Sequence, residues 1–161
     1  MYDIKNLNIW KENSRYRKFK GQDKVLMMDV SKWEENTMSD KCQTVFYEMM
    51  KLVPNVNFKA MRERNKGKFL FPMYVNTTLM ETDIEVLDLS VRSSHCLHRA
   101  GFHTIGALVE AIECGEDLKK IRNCGDKSID EIMGNLLWFQ YSLISQENKL
   151  KYINRIVQLN Q

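Results

Sequence analysis

No run of about 18 apolar residues occurs in this chain, so no membrane-spanning helix is expected. The stretch Met1 to Trp10 has no apolar core of signal-peptide length, and a cytoplasmic protein is the expectation. The four cysteines, Cys42, Cys96, Cys114 and Cys124, form no CxxC pair, and no histidine stands near Cys114 and Cys124 at ligand spacing. Reduced structural thiols are therefore expected rather than a zinc site. There is no P-loop and no G-x-S-x-G. His95, His98 and His103 gather in one stretch, but no carboxylate lies beside them at metal-ligand spacing. Nothing here makes a catalytic constellation. A non-enzymatic protein with no cofactor and no metal is the reading.

What the sequence does have is a split of charge. Residues 1–79 hold 15 Lys and Arg against 9 Asp and Glu, a balance of +6. Residues 80–161 hold 9 against 12, a balance of −3. If the protein grips nucleic acid firmly, the basic N-terminal part is expected to help. Within it, residues 1–23 form a basic and aromatic arm. Ser14 to Lys20 interleaves cations with rings, which can track phosphates and stack on bases, or can equally be a solvated face.

Residues 22–79 read as a small α+β unit. Lys24 to Val30 is a short apolar run of strand character. Ser39 can cap a helix reaching Leu52, with Cys42, Val45, Phe46, Met49 and Met50 at helical spacing. Pro54 ends it. Residues 57–64 fit a short helix or a strand, and Asn65-Lys66-Gly67 is a turn signal. Lys68 to Val75 then reads as a strand, placed at an edge by Pro72. Residues 76–83 are polar enough to link this unit to the next, with Leu79 and Met80 available for packing.

The sequence is organised around Ile84 to Ser142, where two helix–turn–helix units follow one another. Ser90 can cap a short helix to which Val91 and Leu97 give an apolar side, and Gly101 suits the left-handed residue that ends it. Thr104 can cap the next, with Ile105, Leu108, Val109 and Ile112 on one face. Leu118 and Ile121 form another short helix. Asn123-Cys124-Gly125 makes the second turn, and Ile129, Ile132, Met133 and Leu136 line a longer helix. Acidic pairs such as Glu34-Glu35 and Glu116-Asp117 suit helix starts. Residues 146–161 form a final amphipathic helix, expected to pack on its own domain, with a dimer or partner surface as the alternative. Spacing alone fits a helix–hairpin–helix and an ordinary capped bundle equally. In the first case the glycine turns would present backbone N–H groups to phosphate, with Lys127 and Ser128 just beyond Gly125.

The runs L-D-L-S-V-R-S-S-H-C-L-H-R-A-G, T-I-G-A-L-V and R-N-C-G-D-K-S-I-D-E-I resemble, in order and spacing, the C-terminal domain of the bacterial RNA polymerase alpha subunit. The resemblance covers residues 84–142. It implies an all-α compact helix–hairpin–helix domain over residues 80–145, behind the α+β unit, so the fold as a whole is α+β. It also implies a transcription-related protein whose domain contacts the minor groove of A/T-rich double-stranded DNA, sigma factor, activators or other polymerase components. By that resemblance Arg92 enters the minor groove, and Cys96 brings its backbone to the sugar-phosphate strand. Gly125, Lys127, Ser128 and Glu131 complete the DNA face, and Asp88 faces sigma factor. Two positions depart from the family pattern. His95 replaces the usual asparagine, and Asp126 replaces a lysine or arginine, where a carboxylate repels phosphate. These departures leave room for a second reading, a protein-docking module without DNA contact. The N-terminal unit resembles no family and does not look like the large assembly domain of the alpha subunit.

Overall fold

The computed structural model describes residues 23–33 and 38–161. Residues 1–22 of the basic arm and the Glu34-Glu35 pair lie outside the described residues. Helices dominate, with one small sheet. Strand β1 (Lys24–Asp29) runs antiparallel to β2 (Lys68–Met73), with Lys24 opposite Met73 and Asp29 opposite Lys68. Between them come α1 (Asp40–Leu52) and α2 (Phe58–Arg64). After β2 follow α3 (Thr77–Glu81) and a 3-10 helix, Ile84–Leu87. Helices α4 (Val91–Arg99) and α5 (Ile105–Ala111) come next. A second 3-10 helix (Gly115–Lys120) leads to α6 (Asp126–Leu143), and α7 (Gln146–Leu159) is the last element. No helix among the described residues is long and apolar enough to cross a membrane.

Local chemistry sets most of the helix starts. Ser39, Asn57, Asn76, Ser90 and Thr104 each turn a side-chain oxygen onto a backbone N–H of the first turn. Such caps satisfy donors that the helix itself leaves open, each worth about 1 kcal/mol. Residues 57–64, which fit either a helix or a strand on sequence, are helical because Asn57 caps them and Phe58 and Met61 bury on one side. The turn from α2 into β2 runs through Lys66 and Gly67, both in the left-handed region (φ 56° and 81°). A side chain at Gly67 would also meet Ser31 Cβ at 2.8 Å. Among the described residues the sheet has two strands, so β2 is an edge there and Pro72 costs the ladder little.

One buried cluster runs from Leu26 through Phe71, Leu79, Leu108 and Leu136 to Ile156. Helix α1 lies on α6 so closely that a Cβ at Gly134 would sit 2.8 Å from Cys42 Cβ. The polar seam beside it is satisfied: Ser39 Oγ donates to Asn135 Oδ1 at 2.9 Å, and Asn135 Nδ2 donates to the Leu87 carbonyl at 2.9 Å. Strand β1 reaches the second 3-10 helix through Met27 N–H donating to the Glu113 carbonyl at 2.9 Å.

The stretch 76–83 packs through the two apolar residues it offers: it forms α3, with Leu79 fully buried and Met80 pressed on Gly106 of α5. One sequence expectation changes at the last helix, which does not pack on the helical module alone. Helix α7 packs on β2 as well as on the end of α6. Buried Asn160 donates to the Leu70 carbonyl and accepts from the Leu70 N–H, both at 2.8 Å, and Tyr152 Oη donates to the Pro72 carbonyl at 2.8 Å. At about 1 kcal/mol net per bond, these ties rank with a helix cap, and breaking one inside the core costs more.

Candidate nucleic-acid interface

Two helix N-termini lie side by side, and one carboxylate joins them. Glu131, on the second turn of α6, accepts from Ser90 Oγ at 2.8 Å and from the Ser90 N–H at 3.3 Å. Ser90 in turn caps α4 by accepting from the Ser93 N–H. The start of α4 is thereby pinned to the start of α6. Glu131 is half-buried and occupied in this role, so the structure gives it a positioning task that its place in the sequence does not reveal.

Arg92 stands on the first turn of α4, exposed, and His95 stands one turn further along, also exposed. Lys127 is exposed on the first turn of α6. Among the described residues neither Arg92 nor Lys127 makes an ion pair. Gly125 is the N-cap of α6, and this helix has no hydrogen bond from a capping side group. Its first-turn N–H groups therefore remain open to an acceptor from outside. A Cβ at Gly125 would meet nothing within 4 Å, so the space over this turn is clear. Ser128 is different: it is buried, only 6% exposed. Cys96 is fully buried, with Sγ donating to the Asn123 carbonyl at 3.2 Å. That bond ties α4 to the turn before α6.

The two turns do not rest on glycine alike, as the sequence suggests they should. Gly101 does take the left-handed conformation (φ 88°), but in the second turn that role falls to Asn123 (φ 63°) while Gly125 is extended (φ −82°). Asparagine tolerates the left-handed region better than most residues. Val91, placed by sequence on the apolar side of α4, is instead 72% exposed. The buried side is Ser93, Cys96 and Leu97, out of phase with Val91.

Sequence reasoning missed three neighbours. His98 Nδ1 lies 2.9 Å from His103 Nδ1, while His98 Nε2 lies 2.7 Å from Glu85 Oε1. Glu85 comes from the 3-10 helix, too far back in the sequence to read as a histidine partner. Asp88, left-handed at φ 52°, pairs with Lys41 of α1 at 2.9 Å, and Lys41 also sits 4.7 Å over the Trp138 ring. Asp126 shares its end of α6 with Asp130. Burial, and after it the charges of Asp29 and Asp126, push the Asp130 carboxyl up to about 6.

The Asp130 shift has a definite sign for stability. The unfolded protein releases the Asp130 proton near the ordinary carboxylate range, the folded protein only near 6. The folded state therefore loses stability as pH rises through this window. Asp130→Asn is expected to gain about 1 kcal/mol at pH 7, after discounting for a half-exposed group, or about 3 °C in Tm. At pH 4 the gain should vanish. Thermal melts of the two proteins at both pH values check it.

The fold and this site define a compact helical module in which two neighbouring helix starts, one of them uncapped by any side group, carry exposed cations. Residues 75–137 match the family model of the C terminal domain of the bacterial RNA polymerase alpha subunit, and this part of the protein is a domain of that family. The protein is similar to the DNA-directed RNA polymerase subunit alpha of Carboxydothermus hydrogenoformans, 31% identical over 154 residues that take in 89% of this chain and 45% of the relative. The same subunit of Moorella thermoacetica is 48% identical over 69 residues, 43% of this chain and 21% of the relative. That of Symbiobacterium thermophilum is 51% identical over 65 residues, 40% of this chain and 20% of the relative. The aligned part thus spans less than half the length of these relatives. No solved structure matches it.

Proposed function

We propose that this is a transcription-related protein whose alpha-C-terminal-type domain binds the minor groove of A/T-rich double-stranded DNA. The observation that carries the reading is the pairing of two helix starts through Glu131 and Ser90, with exposed Arg92 on one and exposed Lys127 on the other. Arg92 inserts into the groove, drawn by the strong negative potential of narrow A/T tracts. The open amides after Gly125 take a backbone phosphate, and Lys127 adds charge. His95 contributes a hydrogen bond at the groove edge. Cys96 acts from inside, by holding the Asn123 turn, and buried Ser128 supports the first turn of α6. The helix–hairpin–helix description fits the second turn, where Asn123 to Gly125 leads into α6.

A second reading has two observations in its favour. The Asp88 side chain is 77% exposed on a left-handed turn, and Asp126 opposes phosphate at the very start of α6. In this reading the domain docks RNA polymerase, sigma factor or an activator through Asp88, displacing Lys41, and DNA contact is secondary. The segments 22–79, 80–145 and 146–161 would then act together as a docking body.

The test is binding of the purified protein to an A/T-rich and a G/C-rich duplex across a salt series. The first reading expects tighter A/T binding, about tenfold at low salt, with log affinity falling linearly in log salt. Binding without A/T preference, or none at low salt, sinks the minor-groove reading and leaves the docking one.

A further inference from the structure

Beside the Asn123 turn a cleft of about 540 Å³ opens between the end of α4, α5 and the second 3-10 helix. Its floor is apolar, with Phe102, Leu118 and Ile121 among the side chains there. Its rim carries three cations, Arg99, Lys120 and Arg122. This concentration runs against the rest of the segment: residues 80–161 have only 9 cations to 12 acids, and three of the nine gather here.

The single acid in the lining, Asp117, offsets only part of this charge: three cations face one carboxylate, and Lys120 is among the charges acting on it. The Asp117 carboxylate accepts from the Glu113 N–H at 2.8 Å and the Cys114 N–H at 3.2 Å, holding the start of the 3-10 helix. Arg99 is braced by donating Nε to the His95 carbonyl at 3.3 Å. Among the described residues Arg122 and Lys120 form no ion pair. Phe102 and Ile121 are only half-buried, so the floor keeps apolar area exposed to solvent.

We propose that this cleft docks an acidic peptide segment of a partner protein, with one large apolar side chain on the floor and carboxylates on Arg99, Lys120 and Arg122. Charge complementarity selects the occupant. Arginines at the rim can engage carboxylates through paired N–H donors, and the floor supplies what a point charge alone does not, a preference for an apolar anchor. A DNA backbone would use the cations but leave the floor uncovered. A cleft of this volume fits one bulky side chain with room for its flanks. Neither Arg92 nor Lys127 lines the cleft, and the inference goes beyond the duplex-binding reading.

The experiment uses the full-length protein and three fluorescein-labelled nonapeptides: one leucine flanked by four glutamates on each side, the same with alanine for leucine, and the same with lysine for glutamate. Anisotropy is expected to show saturable binding of the leucine–glutamate peptide, at least about fivefold weaker binding of the alanine peptide, and none of the lysine peptide. The double variant Lys120→Glu with Arg122→Glu, both at exposed or rim positions, should weaken binding at least about tenfold with an unchanged melting curve. Absence of saturable binding up to about 1 mM, an affinity only about 4 kcal/mol deep, overturns the proposal. So does equal binding of the alanine peptide. Lost duplex affinity in the double variant with unchanged peptide binding also overturns it, and assigns these cations to phosphate. Duplex binding of the parent protein is measured alongside, so failure here is distinguishable from failure of the minor-groove reading.

Discussion

Replacing Gly106 by alanine is expected to destabilise the protein by about 3 kcal/mol, a large effect for the addition of one methyl group. A Cβ at this position would lie 2.4 Å from Met80 Cα and 2.6 Å from the Met80 carbonyl oxygen. Both are backbone atoms, so no rotamer change relieves the clash. Helix α3 must move off α5, and Leu79, fully buried beside it, must move too. Two backbone bonds hold the same seam, Ile84 N–H to the His103 carbonyl at 3.0 Å and Ile105 N–H to the Thr82 carbonyl at 2.8 Å. Strain on α3 therefore propagates to the 3-10 helix that precedes α4. Chemical denaturation checks the prediction through a lowered midpoint at unchanged slope. An unshifted midpoint would mean that α3 is loosely held.

The second large effect is on binding. Arg92→Ala is expected to weaken A/T-rich duplex binding about 30-fold at low salt, roughly 2 kcal/mol, and to erase the preference over G/C-rich duplex. The salt slope should fall by about one unit, because one fewer counterion is displaced. Stability should barely change, since Arg92 is exposed and forms no ion pair among the described residues. Lys127→Ala offers a contrast within the same measurement: it should weaken both duplexes alike, because a phosphate contact carries no sequence information. Fluorescence titration of both duplexes with the three proteins checks it. Unchanged A/T affinity in Arg92→Ala would place the groove contact elsewhere.

How much of this is legible in the sequence depends on range. Ser39, Ser90 and Thr104 announce helix starts because a cap reaches only three residues forward. Gly101 announces a left-handed end for the same local reason. The second turn misleads, because asparagine and glycine stand two apart and either could carry the positive φ; the structure gives it to Asn123. Val91 misleads because a nine-residue helix sets its own phase, and Ser93 with Cys96 outvotes one valine. The long-range contacts are not legible at all. Lys41 with Asp88 is 47 residues apart, Ser90 with Glu131 is 41, and Tyr152 with Pro72 is 80. Each joins residues with no periodic or spacing signal between them. Arg92, His95 and Lys127 are exposed, the Cys96 and Ser128 side chains are interior, and Glu131 braces Ser90; none of these environments shows in the local sequence.

The packing of α3 has a thermodynamic consequence. A module hung on a flexible tether samples many orientations and gives them up when it docks, which lowers its affinity. Here Met80 against Gly106, and Leu79 in the shared core, leave residues 76–83 no such freedom. Orientational entropy is surrendered once, during folding, rather than at each encounter. Whatever surface the two-stranded sheet and α7 present keeps a fixed angle to α4.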